Sequence, residues 1–570
     1  MPAERPHDHA AEWAVRAPAQ LAVLLFVLLA GVALFPLALV LAPLGFAAVL
    51  AGLLFGAVRW PRLFDTLFGV GLPLRGWVVA SAFVASALVG TLVFVERYTV
   101  EAAGFALVVA VCLPWVVVLV VDGRLRAAAT RPMRLSVWPI VVFTLLAVTG
   151  GLVFGWRTPE PFDFAIFGGF IVVACLVLVV FPMTIAQAHS RRESDEDTLA
   201  DTPFVSVLIP AYNESSYIGN CIQSVLASDY PTDRLEVIVV DDGSTDDTYT
   251  EAASHRNERV SVFTRANGGK HAALNFGLSC ARGEVLVGVD ADSTLHPTAL
   301  QRAVARLQSD SRIGAVAGTV VIDNPQGIVG GVQALEYVLG INTLRRAFSY
   351  LGTVMVVPGC LGVFRREALE GVGGYDADTV TEDFDLTVRL IKAGWRVELT
   401  ESIVYTEAPF SLGDLLNQRL RWTRGNIQTL LKHRDVFTSP QYGFLHRFAF
   451  PLSALSLLFV PFASLLVTVT LVSAIFSGSL FDVVLAAGYF LLVLAVVSAM
   501  ALDLSNHDFR LLAYVPFHIF GYRQFLDFVI LRTMASLLQG TGMRWESVTR
   551  ARQQESSAST TSQPQAVVDD

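Results

Sequence analysis

Long apolar segments on both sides of a stretch with ordinary soluble composition constrain this chain most. Apolar runs near 20 residues long are found at about 19–37, 39–57, 76–95, 103–121, 136–155 and 163–186, and again at 446–475 and 481–503. A helix of about 20 residues spans the hydrocarbon core of a bilayer. The 570 residues are 54% hydrophobic and 16% charged, whereas soluble domains are about 25% charged. We therefore predict a membrane protein with six spans in residues 19–187.

The basic residues between the predicted spans alternate from one side of the membrane to the other. The richer side holds Arg5, Arg16, Arg59, Arg62, Arg75, Arg124, Arg126, Arg131, Arg134, Arg191 and Arg192, and the opposite loops hold Arg97 and Arg157. Lys and Arg are retained on the cytoplasmic side. We predict a multi-pass protein of the cell membrane in which residues 1–18 and the sequence after residue 190 are cytoplasmic.

The C-terminal part, residues 446–540, contains two predicted spans and a more polar segment. Residues 510–540 include His518, Tyr522, Arg523, Asp527 and Arg532, so this segment suits interfacial or re-entrant helices better than a lipid-exposed span. The polar tail, residues 553–570, is predicted to be disordered. Three arginines before this tail, Arg544, Arg550 and Arg552, favour a cytoplasmic C-terminus.

Charge and cysteine content argue against two other classes of protein. The formal net charge is −9, which gives no support for nucleic-acid binding through a basic surface. The five cysteines form no CxxC pair and are interpreted as reduced thiols: Cys112, Cys175, Cys221, Cys280 and Cys360.

Residues 200–435 have the composition of a soluble α/β domain. Short apolar, β-branched runs occur at 205–210, 235–242, 260–263 and 284–292, and helical patterns separate them. Such runs predict a mostly parallel sheet covered by helices, with ligands at the carboxyl ends of the strands.

Acidic residues stand where two of these strands end. Asp241 and Asp242 close the second strand, where adjacent acids can accept hydrogen bonds from a nucleobase or ribose. The same residues also suit a turn before an N-capped helix. Asp290 and Asp292 follow the fourth strand, and we predict that they project in similar directions from an extended segment. Two such carboxylates can bind a hard divalent cation, although acids at strand ends are common.

Two further motifs precede or lie on predicted amphipathic helices. Thr381, Glu382 and Asp383 stand before one helix, where an acid can be a general base or the group can form a capping box. On a second helix, 411–433, Gln418 and Arg421 share a face next to Trp422. Arg can contact pyrophosphate and Trp can stack on a sugar, but a basic interfacial helix with an aromatic anchor has the same composition.

These motifs, in this order, resemble the processive membrane glycosyltransferases of family 2, which include poly-N-acetylglucosamine, hyaluronan, chitin and cellulose synthases. Further matching segments are NGGKHAALNFGL at 267–278, PGCLGVFRREAL at 358–369 and GGY at 373–375. The ensemble is most similar to the poly-N-acetylglucosamine synthase branch, closely over 200–435 and loosely beyond. The resemblance implies a GT-A-type nucleotide-sugar-binding α/β domain inserted between N- and C-terminal bundles of transmembrane helices.

The resemblance also implies roles for individual residues. The uridine part of a UDP-sugar would be held by Asp242 and Lys270, in a pocket with Ala211, Tyr212 and Glu214. Asp290 and Asp292 would bind the diphosphate and Mg²⁺ or Mn²⁺. Asp383 would be the catalytic base beside the substrate-binding Glu382. The diphosphate and acceptor sugar would be secured by Gln418, Arg421 and Trp422, with Gly359 and Cys360 near the terminal sugar.

The implied activity is inverting, metal-dependent polymerisation of sugar from a UDP-sugar, with UDP-N-acetylglucosamine the best guess, into a β-linked extracellular polysaccharide. Synthesis would be coupled to export, and the six N-terminal spans, more than hyaluronan-type enzymes carry, could hold a small membrane or export partner. One alternative is transfer of a single sugar to a lipid acceptor, which gives a glycolipid. Another is a non-catalytic export scaffold that only senses the nucleotide sugar.

Overall fold

The computed structural model describes residues 202–323, 325–476, 501–505 and 507–539, with isolated positions at 180–187 and 484–499. The predicted first five spans and the C-terminal tail lie outside these residues, as do most of the sixth span and of the span at 481–503. The chain divides into two compact units, and the larger includes Met183–Ser473 and the segment from Ala513. The smaller includes Ala474–Leu512, whose described positions up to 504 are helical.

The first four strands form the parallel half of the sheet that the sequence predicts. They are β1 (Val205–Ala211), β2 (Leu235–Asp241), β3 (Val260–Thr264) and β4 (Val285–Gly288), paired in the order β3-β2-β1-β4. All seven residues of β2 are buried, because helices cover both faces of a sheet of this kind. The helices that follow β1, β2 and β3 are α1 (Ile218–Leu226), α2 (Thr248–Ser254) and α3 (Lys270–Cys280).

The second half of the sheet is mixed and was not predicted. Its strands are β5 (Thr294–Leu295), β6 (Ile313–Ile322), β7 (Gly362–Arg365) and β8 (Arg396–Thr406). The full order is β3-β2-β1-β4-β7-β6-β8-β5. β7 is antiparallel to both β4 and β6, whereas β6 and β8 are parallel. The result is a GT-A-like α/β domain with one continuous sheet.

Helices connect and cover these later strands. They are α4 (Ala299–Gln308), α5 (Gly327–Glu336), α6 (Thr343–Tyr350), α7 (Arg366–Gly371), α8 (Glu382–Lys392) and α9 (Leu412–Lys432). A π-helical segment, Tyr337–Asn342, joins α5 to α6. α9 matches the amphipathic helix predicted at 411–433, and Ser411 caps it by accepting a hydrogen bond from the Asp414 amide at 3.1 Å.

The extended segment predicted for Asp290 and Asp292 is wrong. β4 ends at Gly288, and the next residues form a turn in which the Ser293 amide donates to the Asp290 carbonyl at 3.0 Å. Ala291 and Ser293, on either side of Asp292 in the sequence, are buried. Asp residues favour turns because their short side chains tolerate the required backbone geometry, and burial of Ala291 and Ser293 selects the turn here.

Beyond the α/β domain the described chain is mostly helical. Helix α10 runs without interruption over 445–476, where a span was predicted. Within the described residues, Leu445–Val469 is one helix long and apolar enough to cross a bilayer. The segment predicted as interfacial or re-entrant is helical but broken at Phe520 and Gly521, before helix α11 (Arg523–Leu538).

Candidate active site

The turn after β1 is tied to the loop after β2, which brings the first two motifs together. Asn213 adopts a left-handed backbone conformation, with φ of 56°. Its amide donates to the Ser244 hydroxyl at 3.0 Å, and the Glu214 amide donates to the Thr248 hydroxyl at 2.7 Å. The predicted pocket residues Ala211, Tyr212 and Glu214 therefore lie beside the end of β2.

The two acids at the end of β2 hold the local backbone. Asp241 accepts hydrogen bonds from the Ser244 amide at 3.2 Å and from the Thr264 hydroxyl at 2.8 Å. Asp242 is buried, and its carboxylate accepts from the amides of Gly268 and Gly269, the latter at 2.7 Å. Asp242 lies next to the β1 turn, and its hydrogen bonds shape the loop that begins α3.

Gly269 in that loop has a backbone conformation that favours glycine. Its φ is 90°, a value that an L side chain rarely adopts. The next residue, Lys270, is the first residue of α3. The Asp242 carboxylate and Gly269 together set the direction in which Lys270 enters the site.

Four charged side chains meet where β4, α3 and α8 come together. The Lys270 ammonium lies 2.6 Å from Asp290 Oδ1 and 3.2 Å from Glu382 Oε1. Asp383 lines the same cleft, which is also bounded by Gly359. The segment that contains Lys270, the acid after β4 and the acids at the start of α8 therefore lie together, as expected for the carboxyl end of a parallel sheet.

The charged groups in this cleft shift one another's pKa values. Burial opposes the charged form of Lys270, but the surrounding carboxylates, Asp290 first, outweigh burial and raise the pKa of Lys270 well above its usual value. Burial and the neighbouring Glu382 raise the pKa of Asp383 to about 6, although Lys270 acts in the opposite direction. A carboxyl group with a pKa near neutrality is well suited to general base catalysis.

A close approach of the backbone at Gly359 forms one wall of the cleft. A Cβ atom at this position would lie 2.4 Å from Lys270 Nζ and 2.9 Å from Asp290 Oδ1. The adjacent Cys360 is buried, and burial together with Asp290 raises the pKa of its thiol to about 12. The predicted acceptor-side residues thus lie beside the cleft, with Cys360 as a neutral thiol.

The carboxylates of this region have the chemistry of a divalent-cation site. Asp290 and Asp292 supply the hard oxygen ligands that Mg²⁺ and Mn²⁺ prefer. In the described part of the chain, no group of three or more His, Cys, Asp or Glu side chains is arranged around one metal position. Mg²⁺ is commonly held by one or two carboxylates plus phosphate oxygens and water, so the residues fit a cation that arrives with a diphosphate.

The start of α8 does not form the capping box that was the alternative to a catalytic role. Thr381 occupies the N-cap position without a side-chain capping hydrogen bond. Its hydroxyl is buried and meets no hydrogen-bond partner among the residues that the structure describes. Asp383 instead accepts a hydrogen bond from its neighbour, the Phe384 amide, at 2.8 Å. Acids in a first helical turn are favoured by the helix dipole.

The predicted residues of α9 lie outside the described lining of the cleft. Gln418, Arg421 and Trp422 are half-buried on this helix. Arg419, to which sequence analysis assigned no role, is buried and stacks over the Trp422 ring, with 4.3 Å between Cζ and the ring centroid. Arg419 lies between Gln418 and Arg421 in the sequence, and this position alone does not predict its contact with Trp422.

Tyr375 lines the cleft, and sequence analysis assigned it no role. It is buried, and a Cβ added at Gly288 would lie 3.5 Å from its hydroxyl. The Asn275 side chain fixes its backbone through two hydrogen bonds, donated to the Tyr375 carbonyl at 2.8 Å and accepted from its amide at 2.9 Å. The matching segments NGGKHAALNFGL and GGY contain these two residues, so the signal was present without a role attached.

Comparison with known proteins supports the domain assignment. The profile of the family described as Glycosyl transferase family 2 matches residues 206–373. Poly-β-1,6-N-acetyl-D-glucosamine synthase of Staphylococcus aureus is 29% identical over 264 residues, which are 46% of this chain and 63% of that protein. The synthase of the same name from Staphylococcus epidermidis is 30% identical over 233 residues, 40% of this chain and 56% of the relative.

A solved structure of a mannosyltransferase from Pyrobaculum calidifontis, in complex with GDP-Man and Mn²⁺, was also found. It is 22% identical, with a TM-score of 0.47, over 71% of this chain and 99% of the mannosyltransferase. The matches to the curated synthases span less than two thirds of those proteins. This chain therefore carries a glycosyltransferase family 2 domain and is similar to the poly-β-1,6-N-acetyl-D-glucosamine synthases.

Proposed function

We propose that this protein is an inverting, metal-dependent glycosyltransferase of the cell membrane that polymerises sugar from a UDP-sugar. The observation that carries the proposal is the single cleft containing Lys270, Asp290, Glu382 and Asp383 at the carboxyl ends of the strands. UDP-N-acetylglucosamine is the proposed donor, because the similar curated proteins are named for poly-N-acetylglucosamine synthesis.

The charge of the cleft explains why a cation would be needed. Asp290, Glu382 and Asp383 face one ammonium, that of Lys270, so an anionic diphosphate would be repelled by the unmatched carboxylates. The proposed ligands of Mg²⁺ or Mn²⁺ are Asp290 and Asp292. The cation would neutralise the diphosphate as it leaves.

The proposed reaction uses Asp383 as the base. Its carboxylate accepts the proton of an acceptor hydroxyl while that oxygen forms a bond to the anomeric carbon. The bond from this carbon to the diphosphate oxygen breaks on the opposite side, UDP leaves, and the configuration inverts. Removal of a general base typically lowers the rate by about 10²- to 10⁴-fold. Tyr375 and Pro358 line the wall of the same cleft.

The acceptor is proposed to be the end of a growing β-linked polysaccharide. Trp422 of α9 is the proposed stacking partner of its sugar, and Arg419 lies over one face of this ring. The neighbouring helix Leu445–Val469, suited to a bilayer by length and composition, is consistent with synthesis at a membrane and with export of the product. Transfer of one sugar to a lipid is the competing function, and product size separates the two.

The test is UDP release by the full chain in lipid nanodiscs, measured with a panel of UDP-sugars and with Mg²⁺, Mn²⁺ or a chelator. The proposal expects turnover with one donor, loss of turnover with chelator, and a product far larger than the donor. Asp383→Asn should be silent, whereas Asp310→Asn, which removes an acid of an ion pair with Arg312 outside the cleft, should retain activity. A small, lipid-extractable product would support the glycolipid alternative, and binding without turnover would contradict both.

A further inference from the structure

Asp385 lies two residues after the proposed base and connects three cationic or basic side chains. Its side chain is fully buried. One carboxylate oxygen lies 2.9 Å from both Lys432 Nζ and His433 Nε2, and the other accepts a hydrogen bond from Arg389 Nε at 2.8 Å. Hydrogen bonding to these groups outweighs burial and lowers the pKa of Asp385. The first turn of α8 is thereby bound to the C-terminal end of α9.

Lys432 extends this connection to the loop before α8. Its ammonium also lies 2.9 Å from Asp376 and 3.0 Å from Asp378. One lysine at the end of α9 therefore contacts acids on both sides of Glu382 and Asp383 in the sequence. Removal of its charge would leave Asp385 buried with fewer partners, which is unfavourable for a buried carboxylate.

A second contact between α9 and this region is formed by backbone proximity. A Cβ atom added at Gly425 would lie 2.4 Å from both Cγ2 and Oγ1 of Thr381. Further along the helix, the Gln428 side chain accepts a hydrogen bond from the Val380 amide at 3.3 Å. The absence of a side chain at Gly425 thus lets the helix touch the residue that immediately precedes Glu382 and Asp383.

From these contacts we infer that the C-terminal half of α9 is a positioning element for the proposed base, acting through Gly425, Lys432 and Asp385. The same helix carries Gln418, Arg421 and Trp422, so these contacts fix Asp383 relative to the residues proposed to hold the acceptor. An error of about 1 Å in such an arrangement can cost about 10²-fold in rate. The inference rests on the proposed function, because it assigns the purpose of the contacts to Asp383.

Two variants test the inference in the full chain in nanodiscs, with UDP-N-acetylglucosamine as the probe. Lys432→Met and Gly425→Ala are each expected to lower kcat by about tenfold or more, while the donor KM changes by less than about threefold, because neither residue lies in the cleft. Alanine has a higher helix propensity than glycine, so weakening of α9 itself does not explain a loss of rate.

Matched variants separate positioning from a general effect on folding. Thr381→Gly removes the three side-chain atoms, Cβ, Oγ1 and Cγ2, that a Cβ at position 425 would meet, and glycine is tolerated at an N-cap. The double variant Gly425→Ala/Thr381→Gly should therefore regain much of the lost kcat. Arg312→Met, which removes a partly exposed ion-paired cation elsewhere in the domain, should leave kcat unchanged. Wild-type kcat in both Lys432→Met and Gly425→Ala would overturn the inference.

Hydrogen–deuterium exchange gives a readout that does not depend on the chemistry. Peptides that cover 376–392 should exchange faster in Lys432→Met than in the wild type, and unchanged exchange would also overturn the inference. Activity in Asp383→Asn would instead contradict the proposed base. The two failures are distinguishable, because exchange reports the contact between α9 and α8 whether or not Asp383 is the base.

Discussion

The guanidinium group of Arg419 lies over the ring of Trp422, with 4.3 Å between Cζ and the ring centroid. The same guanidinium pairs with Glu336 at 2.5 Å, and the Tyr522 hydroxyl donates to that carboxylate at 2.6 Å. One face of the tryptophan is therefore covered by a side chain that is itself fixed from α5 and from the segment before α11.

Arg419→Met is expected to destabilise the protein, because it leaves the Glu336 carboxylate without its cation. Removal of one partner of a buried ion pair typically costs about 3–5 kcal/mol, and the Arg419 side chain is only 4% exposed. The thermal unfolding midpoint should fall, and the acceptor KM should rise as Trp422 loses its support. Both quantities can be measured on the same nanodisc preparation.

The double variant Arg419→Met/Glu336→Gln is the matched comparison. Glutamine removes the unpaired charge, so the double variant should be more stable than Arg419→Met alone. Equal unfolding midpoints for the single and double variants would show that the ion pair is not the reason for the loss.

Gly359→Ala should lower activity strongly without unfolding the domain. The new methyl group would lie 2.4 Å from Lys270 Nζ, so the lysine and Asp290 would have to move from their present ion pair. We expect a loss of about 10²-fold in kcat/KM for the donor, measured by UDP release. Gly371→Ala is the control, since nothing described lies within 4 Å of a Cβ added there, and it should retain activity.

The pH dependence of donor kcat/KM should show an acid limb set by Asp383. Its pKa is raised to about 6 by burial and by Glu382. A general base works only when deprotonated, so activity should fall as the pH drops through about 6 and should reach a plateau above it. A flat profile between pH 5 and 8 with the wild-type protein would argue against this residue as the base.

Much of the first half of the fold could be predicted because its signals are local. β1 to β4 are short apolar runs, and each of the first motifs directly follows a strand in the sequence. Their position at one edge of the sheet could therefore be predicted without knowledge of contacts between distant side chains. β8 was not predicted from the sequence, because the charged residues Arg396, Glu398 and Glu401 interrupt its apolar pattern. Glu398 is buried all the same, paired with Arg306 and Arg396, and such pairing is invisible to a pattern of apolar residues.

The contacts of α9 with other elements were not predicted from the sequence, for a different reason. Lys432 meets Asp385 across 47 positions of sequence, and Arg419 meets Tyr522 across 103. Spacing predicts which side chains share a helix face, but it does not predict which distant element will cover that face. The motif order therefore indicated the cleft and its acids, whereas the residues that hold the cleft in shape became visible only in the structure.

Lys270→Met should move the acid limb of the pH profile to higher pH. The lysine stabilises the ionised form of Asp383 and so lowers its pKa, against burial and Glu382. Without the ammonium, the carboxyl group holds its proton to a higher pH, and donor kcat/KM should reach its plateau later than in the wild type. The measurement is the same pH series of UDP release, with Arg312→Met as a variant that loses a cation far from the cleft and should keep the wild-type midpoint. An unchanged midpoint in Lys270→Met would show that the acid limb does not report Asp383, because Lys270 is the cation that opposes the rise in the pKa of this group.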